Sequence, residues 1–149
     1  MKYYVTYSFK NKDNENLMQS EIVEFEDYIY NGDDMTNLLN ALKIKLQEED
    51  KVKSIKTPDA IFIVNFYLLK EESTYTDEEK SFFVSCFVSY KQGFRTIHNI
   101  FSHQVYLQNY METEADFLFF EKDLKVSLEK HCDEMEVISS AIINCIQLT

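Results

Sequence analysis

The sequence predicts an α+β protein in which a ββαβ unit occurs twice, as a tandem duplication with antiparallel sheets and one helix per repeat. Three observations support this fold class: apolar residues alternate at the start of each half, they recur at helical spacing in the middle of each half, and the second half follows the first at a shift of 79 positions. We expect the first repeat over residues 1–70, an acidic linker over 71–80 and the second repeat over 81–149, with both repeats packed as one compact domain.

The first repeat begins with a strand, because residues 3–9 carry apolar side chains at alternate positions. Turn-forming residues follow in KNKDNEN, and IVEFEDYI over 22–29 alternates again, so the two segments predict a β-hairpin. Leucines and a methionine then recur at helical spacing over 35–46. Asp33 or Asp34 is the expected N-cap of this helix.

Residues 60–69 predict a third strand that is apolar on both faces. Such a strand needs cover on both sides, so one face should pack on its own helix and the other on the second repeat or on a second subunit, as in a homodimer. The residues expected at this repeat interface are Ile63, Asn65 and Tyr67 and, 79 positions later, Ile142, Asn144 and Ile146. The two asparagines either satisfy backbone groups there or contact a ligand.

The second repeat has the same order of elements. Residues 81–90 predict a strand, and a glycine turn leads to another strand within 95–108. Thr113 followed by an aspartate three positions later resembles a capping box, which predicts that a helix begins here and runs over 114–131. A last strand is expected over 137–148.

The charge of the chain restricts its partners. Lys and Arg number 15 against 26 Asp and Glu, which gives a net charge of -11. Phosphate binding depends on basic residues, so direct contact with nucleic acid or with an anionic membrane surface is disfavoured. A protein partner with a basic surface is favoured by long-range attraction. The 2 glycines are too few for a glycine-rich phosphate loop.

The sequence predicts a cytoplasmic protein. Its N-terminus, MKYYVTYSF, has no continuous apolar segment of the signal-peptide type. The longest apolar run, AIFIVNFYLL, is far shorter than the about 20 residues that span a bilayer. The 3 cysteines are odd in number and lack CxxC spacing, which favours reduced thiols over a disulfide framework.

Catalytic and metal-binding patterns are weak in this sequence. His98 and His103 are five positions apart in an expected strand, so their side chains should face opposite sides and could not share a metal. Cys86 and Cys145 lie in apolar strand runs and are expected to be small core residues. We therefore expect a protein without catalytic residues, metal or cofactor.

Acidic residues supply the candidate partner-binding site. They concentrate in the first half, where the expected binding residues are Glu24, Glu26, Asp27, Asp33, Asp34, Glu48, Glu49 and Asp50. One interpretation is an anionic surface that imitates nucleic-acid phosphates, and the other is a solvated surface that only keeps the protein soluble. Tyr28, Tyr30, Tyr75 and Tyr110 lie outside the apolar stripes, where tyrosine offers the contact area typical of protein interfaces.

A small acidic chain that is low in glycine and proline and has no catalytic motif resembles the inhibitors carried by phages and mobile elements, anti-CRISPR proteins among them. The similarity is one of class, without a diagnostic motif. The resemblance implies a non-enzymatic protein that blocks a nucleic-acid-handling defence enzyme, such as a CRISPR effector nuclease, by occupying its basic groove. The alternatives are an immunity protein that neutralises a cognate toxin and a structural or assembly protein.

Overall fold

The protein is described by a computed structural model that covers residues 1–148, apart from the side chain at position 109. The chain divides into two compact units, Met1–Leu69 and Lys70–Thr149, which we call unit 1 and unit 2. Each unit contains a three-stranded antiparallel sheet and one α-helix, which confirms the α+β class. No helix within the described residues is long and apolar enough to cross a membrane.

Unit 1 has the order β1, β2, α1, β3, with two short 3-10 turns, Lys51–Ser54 and Pro58–Ala60, before its last strand. Its elements are β1 (Lys2–Lys10), β2 (Asn16–Glu24), α1 (Gly32–Glu48) and β3 (Phe62–Leu69). β1 is the central strand, because the sheet order is β2-β1-β3.

Unit 2 repeats this order with longer strands. Its elements are β4 (Tyr75–Gln92), β5 (Arg95–Asn109), α2 (Glu114–His131) and β6 (Met135–Gln147). β4 is central in the sheet order β5-β4-β6, so both units place their first strand between the other two. The helix predicted over 114–131 is confirmed.

Three expectations need correction. The second strand is Asn16–Glu24 and not 22–29, because the hairpin turns tightly at Asn11, whose backbone N–H donates to the Glu15 carbonyl at 2.9 Å. The N-cap of α1 is Asn31 and not an aspartate. Finally, β4 begins at Tyr75, so the second half of the expected 71–80 linker belongs to a strand.

The core of unit 1 lies between α1 and one face of the sheet. Tyr3, Val5 and Tyr7 alternate along β1 and pack in one cluster with the helix residues Leu38 and Leu42. All five side chains are buried. Strand periodicity on one side and helical periodicity on the other therefore bring two apolar surfaces together, which is the dominant stabilising contribution in such a layer.

The same bulge occurs in both sheets. Thr6 pairs with Asn65 and the next β1 residue pairs with Ile63, so one β3 residue is skipped. In unit 2, Ser85 pairs with Asn144 and the next β4 residue pairs with Ile142, so one β6 residue is skipped there. The paired positions of the two sheets are 79 residues apart throughout these ladders.

The bulge corrects the expected repeat interface. Because side chains alternate along a strand, skipping one residue returns Ile63 and Ile142 to the face that carries the helix. Ile63 accordingly packs against the unit 1 core. Asn65 and Tyr67, like Asn144 and Ile146, lie on the opposite face. The six residues do not share one surface, and the assignment of the remaining four to an interface stays a prediction.

The start of α2 generates a prediction about pH. Partial burial raises the pKa of Asp116, but hydrogen bonds donated to its carboxylate by Thr113, the Glu112 backbone and Ser73 outweigh burial, so the pKa lies below its ordinary value of 3.8. A lowered pKa in the folded state stabilises the protein above the unfolded pKa, and this stabilisation is lost as the pH falls through the folded pKa. Asp116→Asn should therefore lower the free energy of unfolding by about 1 kcal/mol at pH 7.

The measurement is urea unfolding of the variant and the parent from neutral to acidic pH. The difference should shrink once the pH falls below about 4. Asp123→Asn, which changes an exposed carboxylate of the same helix, is the matched control and should have little effect at any pH. An Asp116→Asn penalty that stays constant down to the acid limit would contradict the assigned role of the carboxylate.

Candidate protein-binding surface

The eight acidic residues expected to bind a partner lie in two groups at opposite ends of α1. The first group occupies the end of β2, the connection after it and the first turn of the helix, and comprises Glu24, Glu26, Asp27, Asp33 and Asp34. The second group ends the helix and comprises Glu48, Glu49 and Asp50. At 1.5 Å per residue, Asp33 and Glu48 lie about 22 Å apart along α1, whereas Glu24 pairs with Lys2 on the face of the sheet opposite the helix.

Five of these eight carboxylates are exposed and without a charged partner. They make no ion pair with any other residue that the structure describes, and they are Glu24, Glu26, Asp27, Asp33 and Glu48. Their charges are therefore directed to solvent, where a partner can reach them.

Asp34 has a structural role. Its Oδ2 accepts hydrogen bonds from the backbone N–H groups of Tyr30 and Asn31, at 2.9 and 3.1 Å. Asn31 in turn accepts from the backbone N–H groups of Asp33 and Asp34, at 2.8 and 3.0 Å, which completes a capping box. The carboxylate of Asp34 thus satisfies backbone donors before the helix, and its Oδ2 is occupied there.

The second acidic group is partly neutralised. The hydrogen bond from Lys51 lowers the pKa of Glu49, which also forms an ion pair with Lys45 at 3.3 Å. Asp50 contacts the ammonium of Lys53 at 2.6 Å. Lys51 bridges further to Glu21 on β2, so the end of the helix is tied to the sheet. Only Glu48 of this group keeps an uncompensated charge.

The connection between β2 and α1, which we call the 25–31 segment, is anchored at several points. Phe25 and Ile29 pack against the unit 1 core. The hydroxyl of Tyr3 donates to the backbone carbonyl of Asp27 at 3.0 Å, and the N–H of Phe25 donates to the Met1 carbonyl at 2.9 Å. Burial raises the pKa of Tyr3, which keeps its hydroxyl protonated as a donor.

Two tyrosines project from this anchored segment. Tyr28 is 51% exposed and Tyr30 is 81% exposed, and their ring centroids are 5.8 Å apart. Glu26 and Asp27 lie immediately before them. Sequence patterning mistook much of this segment for a strand, because its inward residues alternate with acidic ones.

A row of small polar side chains crosses each sheet on the face opposite its helix. Ser20, Thr6 and Asn65 are paired across unit 1. Ser102, Ser85 and Asn144 hold the same places in unit 2, where the two serine hydroxyls lie 2.8 Å apart. Strands rarely hold polar residues at buried central positions, and Thr6 is fully buried. The sequence pointed to the asparagines but not to the hydroxyls beside them.

In the unit 2 sheet, Ser89 and His98 are hydrogen-bonded, and the cysteines are buried or half-buried. Ser89 lies 2.8 Å from Nδ1 of His98, whose ring stacks on Phe87. Ser89 is only 5% exposed, which suits a buried hydrogen bond better than a nucleophile open to substrate. Burial raises the pKa of Cys86 to about 12 and of Cys145 to about 11, so both thiols stay protonated and unreactive.

The structure gives the positions of the side chains that could bind a metal ion. His98 pairs with Ser89 and His103 pairs with Val84, so the two histidines lie on opposite faces of the sheet. Among the described residues, no three histidine, cysteine, aspartate or glutamate side chains are grouped as a metal ion would need.

Unit 2 also contains a cleft that the sequence did not indicate. Its volume is about 440 Å³, and exposed Tyr75, Tyr106 and Phe119 line it together with Met111. The carboxylate of Asp116 reaches it but is already occupied by the hydrogen bonds at the start of α2. The four hydrophobic residues are far apart in sequence, so no local pattern could have predicted the cleft.

Comparison of this chain with protein-family models, with curated proteins and with solved structures finds no match. Its function therefore has to be inferred from its own charges, exposed groups and contacts.

The anchoring of the 25–31 segment can be tested at one hydroxyl. Tyr3→Phe removes the donor to the Asp27 carbonyl and should lower the free energy of unfolding by about 1 kcal/mol. The backbone amides of 25–31 should exchange faster with deuterium, because the segment loses one of its attachments. Hydrogen exchange measured by mass spectrometry reports both effects.

Tyr28→Phe is the matched control, since it removes a hydroxyl from an exposed ring in the same segment. It should leave stability and exchange unchanged. Equal effects of the two substitutions would show that the buried hydrogen bond does not hold the segment.

Proposed function

We propose that the chain is a non-enzymatic inhibitor that occupies the basic groove of a nucleic-acid-handling defence enzyme, of the kind that anti-CRISPR proteins block. The observation that carries this proposal is the pair of acidic groups at the two ends of α1, together with the exposed tyrosines of the 25–31 segment. Such targets act in the cytoplasm, where the free cysteines of this chain would remain reduced.

The spacing of the acidic groups favours an extended basic groove over a single basic pocket. One strand of B-DNA advances about 3.4 Å per phosphate, so the about 22 Å between Asp33 and Glu48 corresponds to roughly seven phosphates. The carboxylates before and at the start of α1 that keep uncompensated charges are Glu24, Glu26, Asp27 and Asp33, and Glu48 does so at its end. A groove that tracks a nucleic-acid backbone offers positive charge over such a length.

Tyrosines add the short-range part of the interaction. Tyr28 and Tyr30 present rigid rings beside Glu26 and Asp27. Aromatic residues are enriched at the energetic centres of interfaces, and arginine stacks on aromatic rings. Because the 25–31 segment is anchored to the core, it loses little conformational entropy on binding.

The proposal predicts that pattern matters more than net charge. A variant with Glu24→Gln, Glu26→Gln, Asp33→Asn and Glu48→Gln should weaken binding to a target CRISPR effector nuclease by about 2 kcal/mol, roughly 30-fold. Competition with target DNA on a panel of purified effector nucleases, repeated over a range of salt concentrations, measures this. Binding by the parent should weaken steeply as salt rises.

The control changes net charge by the same amount elsewhere. Four exposed carboxylates of unit 2 are neutralised in it, namely Asp77→Asn, Asp123→Asn, Asp133→Asn and Glu136→Gln. This variant should bind nearly as well as the parent. Equal losses of affinity in both variants would show that the acidic groups of unit 1 act only through the net charge of the protein. Binding that is insensitive to salt would refute the mimicry of phosphates.

We also infer that the two units arose by tandem duplication. The shared order of elements supports this, and so does the bulge that occurs at the same place in both sheets. The helices also correspond, but with a different offset in sequence, since their N-caps, Asn31 and Thr113, are 82 positions apart. The shift grows from 79 to 82 through the hairpins, which close around different numbers of residues, and returns to 79 in the last strands.

A further inference from the structure

The β4–β5 hairpin has an unusual charge for this chain. Residues 81–111 contain no aspartate or glutamate, although the whole chain has 26. This stretch carries Lys91 and Arg95 and covers most of the hairpin. The electrostatic repulsion that a net charge of -11 creates between copies of the protein is therefore weakest at this surface.

β5 is an open edge of its sheet. The sheet order is β5-β4-β6, and no other strand of the described chain pairs with the outer side of β5. Its pairing with β4 runs without a bulge from the turn to Leu107. Edge strands usually carry bulges, charges or prolines that discourage pairing with another chain.

The other three edges carry these protective features. β3 and β6 have bulges. β2 is only nine residues long and carries Glu21 and Glu24. β5 is 15 residues long, has no proline and has one charged residue, Arg95, at its first position.

The geometry of the hairpin turn shows which backbone groups of β5 point away from β4. Gly93 has a φ of +60° at the first central position of a two-residue turn that Gln92 and Arg95 close. In such a hairpin the closing residues exchange hydrogen bonds, and the pattern alternates along the strands. The even-numbered residues 96–106 therefore direct their N–H and C=O groups away from β4. Among them, the N–H of Ile100 donates to Oδ1 of Asn99 at 2.9 Å.

The described side chains of β5 are at least partly exposed, and none of them is acidic. None of the residues 95–108 is buried. Ile100 is 54% exposed and Tyr106 is 60% exposed, and both lie on the face opposite α2. Pairing at this edge would cover apolar side chains as well as backbone groups.

We propose that β5 pairs antiparallel with β5 of a second copy of this chain, about a twofold axis near Phe101. The two three-stranded sheets then form one continuous six-stranded sheet. Ile100 lies opposite Ser102 of the second copy, and the outward residues from 96 to 106 exchange hydrogen bonds with their partners. The N–H of Ile100 exchanges its bond to the Asn99 side chain for one to the second copy.

Charge selects a second copy as the occupant of this edge. A foreign partner with a basic surface is attracted to the acidic groups of unit 1 and finds no carboxylate between Ser81 and Met111. Two copies of an acidic protein, by contrast, approach each other most easily where neither has a carboxylate. An antiparallel strand pair is also self-complementary, as a twofold interface requires.

Light scattering and backbone amide exchange by NMR, both over a wide range of protein concentration, test this interface. The expected result is a dimer in which the amides of Thr96, Ser102, Gln104 and Tyr106 exchange more slowly as concentration rises, while the odd-numbered amides, already bonded to β4, do not change. The outer amides of β2 and β6 serve as controls and should not respond. A protein that stays monomeric, or a dimer in which those four β5 amides remain unprotected, overturns the proposal.

Charge variants test the register. I100E/S102E places like charges opposite each other across the axis and should abolish the dimer, and I100K/S102K should do the same. Mixing these two variants should restore dimers, because every opposed pair then has opposite charges. N40E/Q47E, which adds the same negative charge on exposed positions of α1, should remain dimeric. Failure of the mixture to form heterodimers, with both variants folded by NMR, would overturn the proposed pairing.

Discussion

The packing of an apolar helix stripe against one face of a central strand is the constraint on which the rest of unit 1 depends. Val5 and Tyr7 on β1 fix where Leu38 and Leu42 of α1 must lie, because all four are fully buried in one cluster. Once that face of the helix is buried, its ends and its opposite side are left to solvent. The positions of the acidic groups follow from this packing, since they lie at the two ends of the same helix.

Capping decides which carboxylates remain available. The backbone donors at the start of a helix need acceptors, and Asp34 supplies one for Tyr30 and Asn31. At the other end, lysines from the helix and from the turn after it neutralise Glu49 and Asp50. Fewer carboxylates are therefore available to a partner than the sequence contains, because some form ion pairs with lysines and one caps α1. What remains is a smaller and more specific pattern than the composition suggests.

Unit 1 and the β4–β5 hairpin differ both in their carboxylates and in the regularity of their edge strands. Unit 1 combines uncompensated carboxylates with short or bulged edge strands, whereas the β4–β5 hairpin of unit 2 has a long regular edge and no carboxylate. A regular edge is the least protected against pairing with another chain, and carboxylates are the groups that would oppose such pairing between copies. The two surfaces correspond to the two proposals, a basic partner at unit 1 and another copy of the protein at β5.

The sequence by itself determined the α+β class, the presence of the first strand of each unit and the extent of α2, because periodicity and capping residues act within a few positions of each other. It also marked Asn65 and Asn144 as equivalent positions. Tertiary structure alone decided that Phe25 and Ile29 pack on the core from an irregular segment, although their spacing with acidic residues imitates a strand. Tertiary structure also placed the bulges and the ion pairs of Glu49, because these depend on pairing partners and lysines whose positions no local pattern specifies.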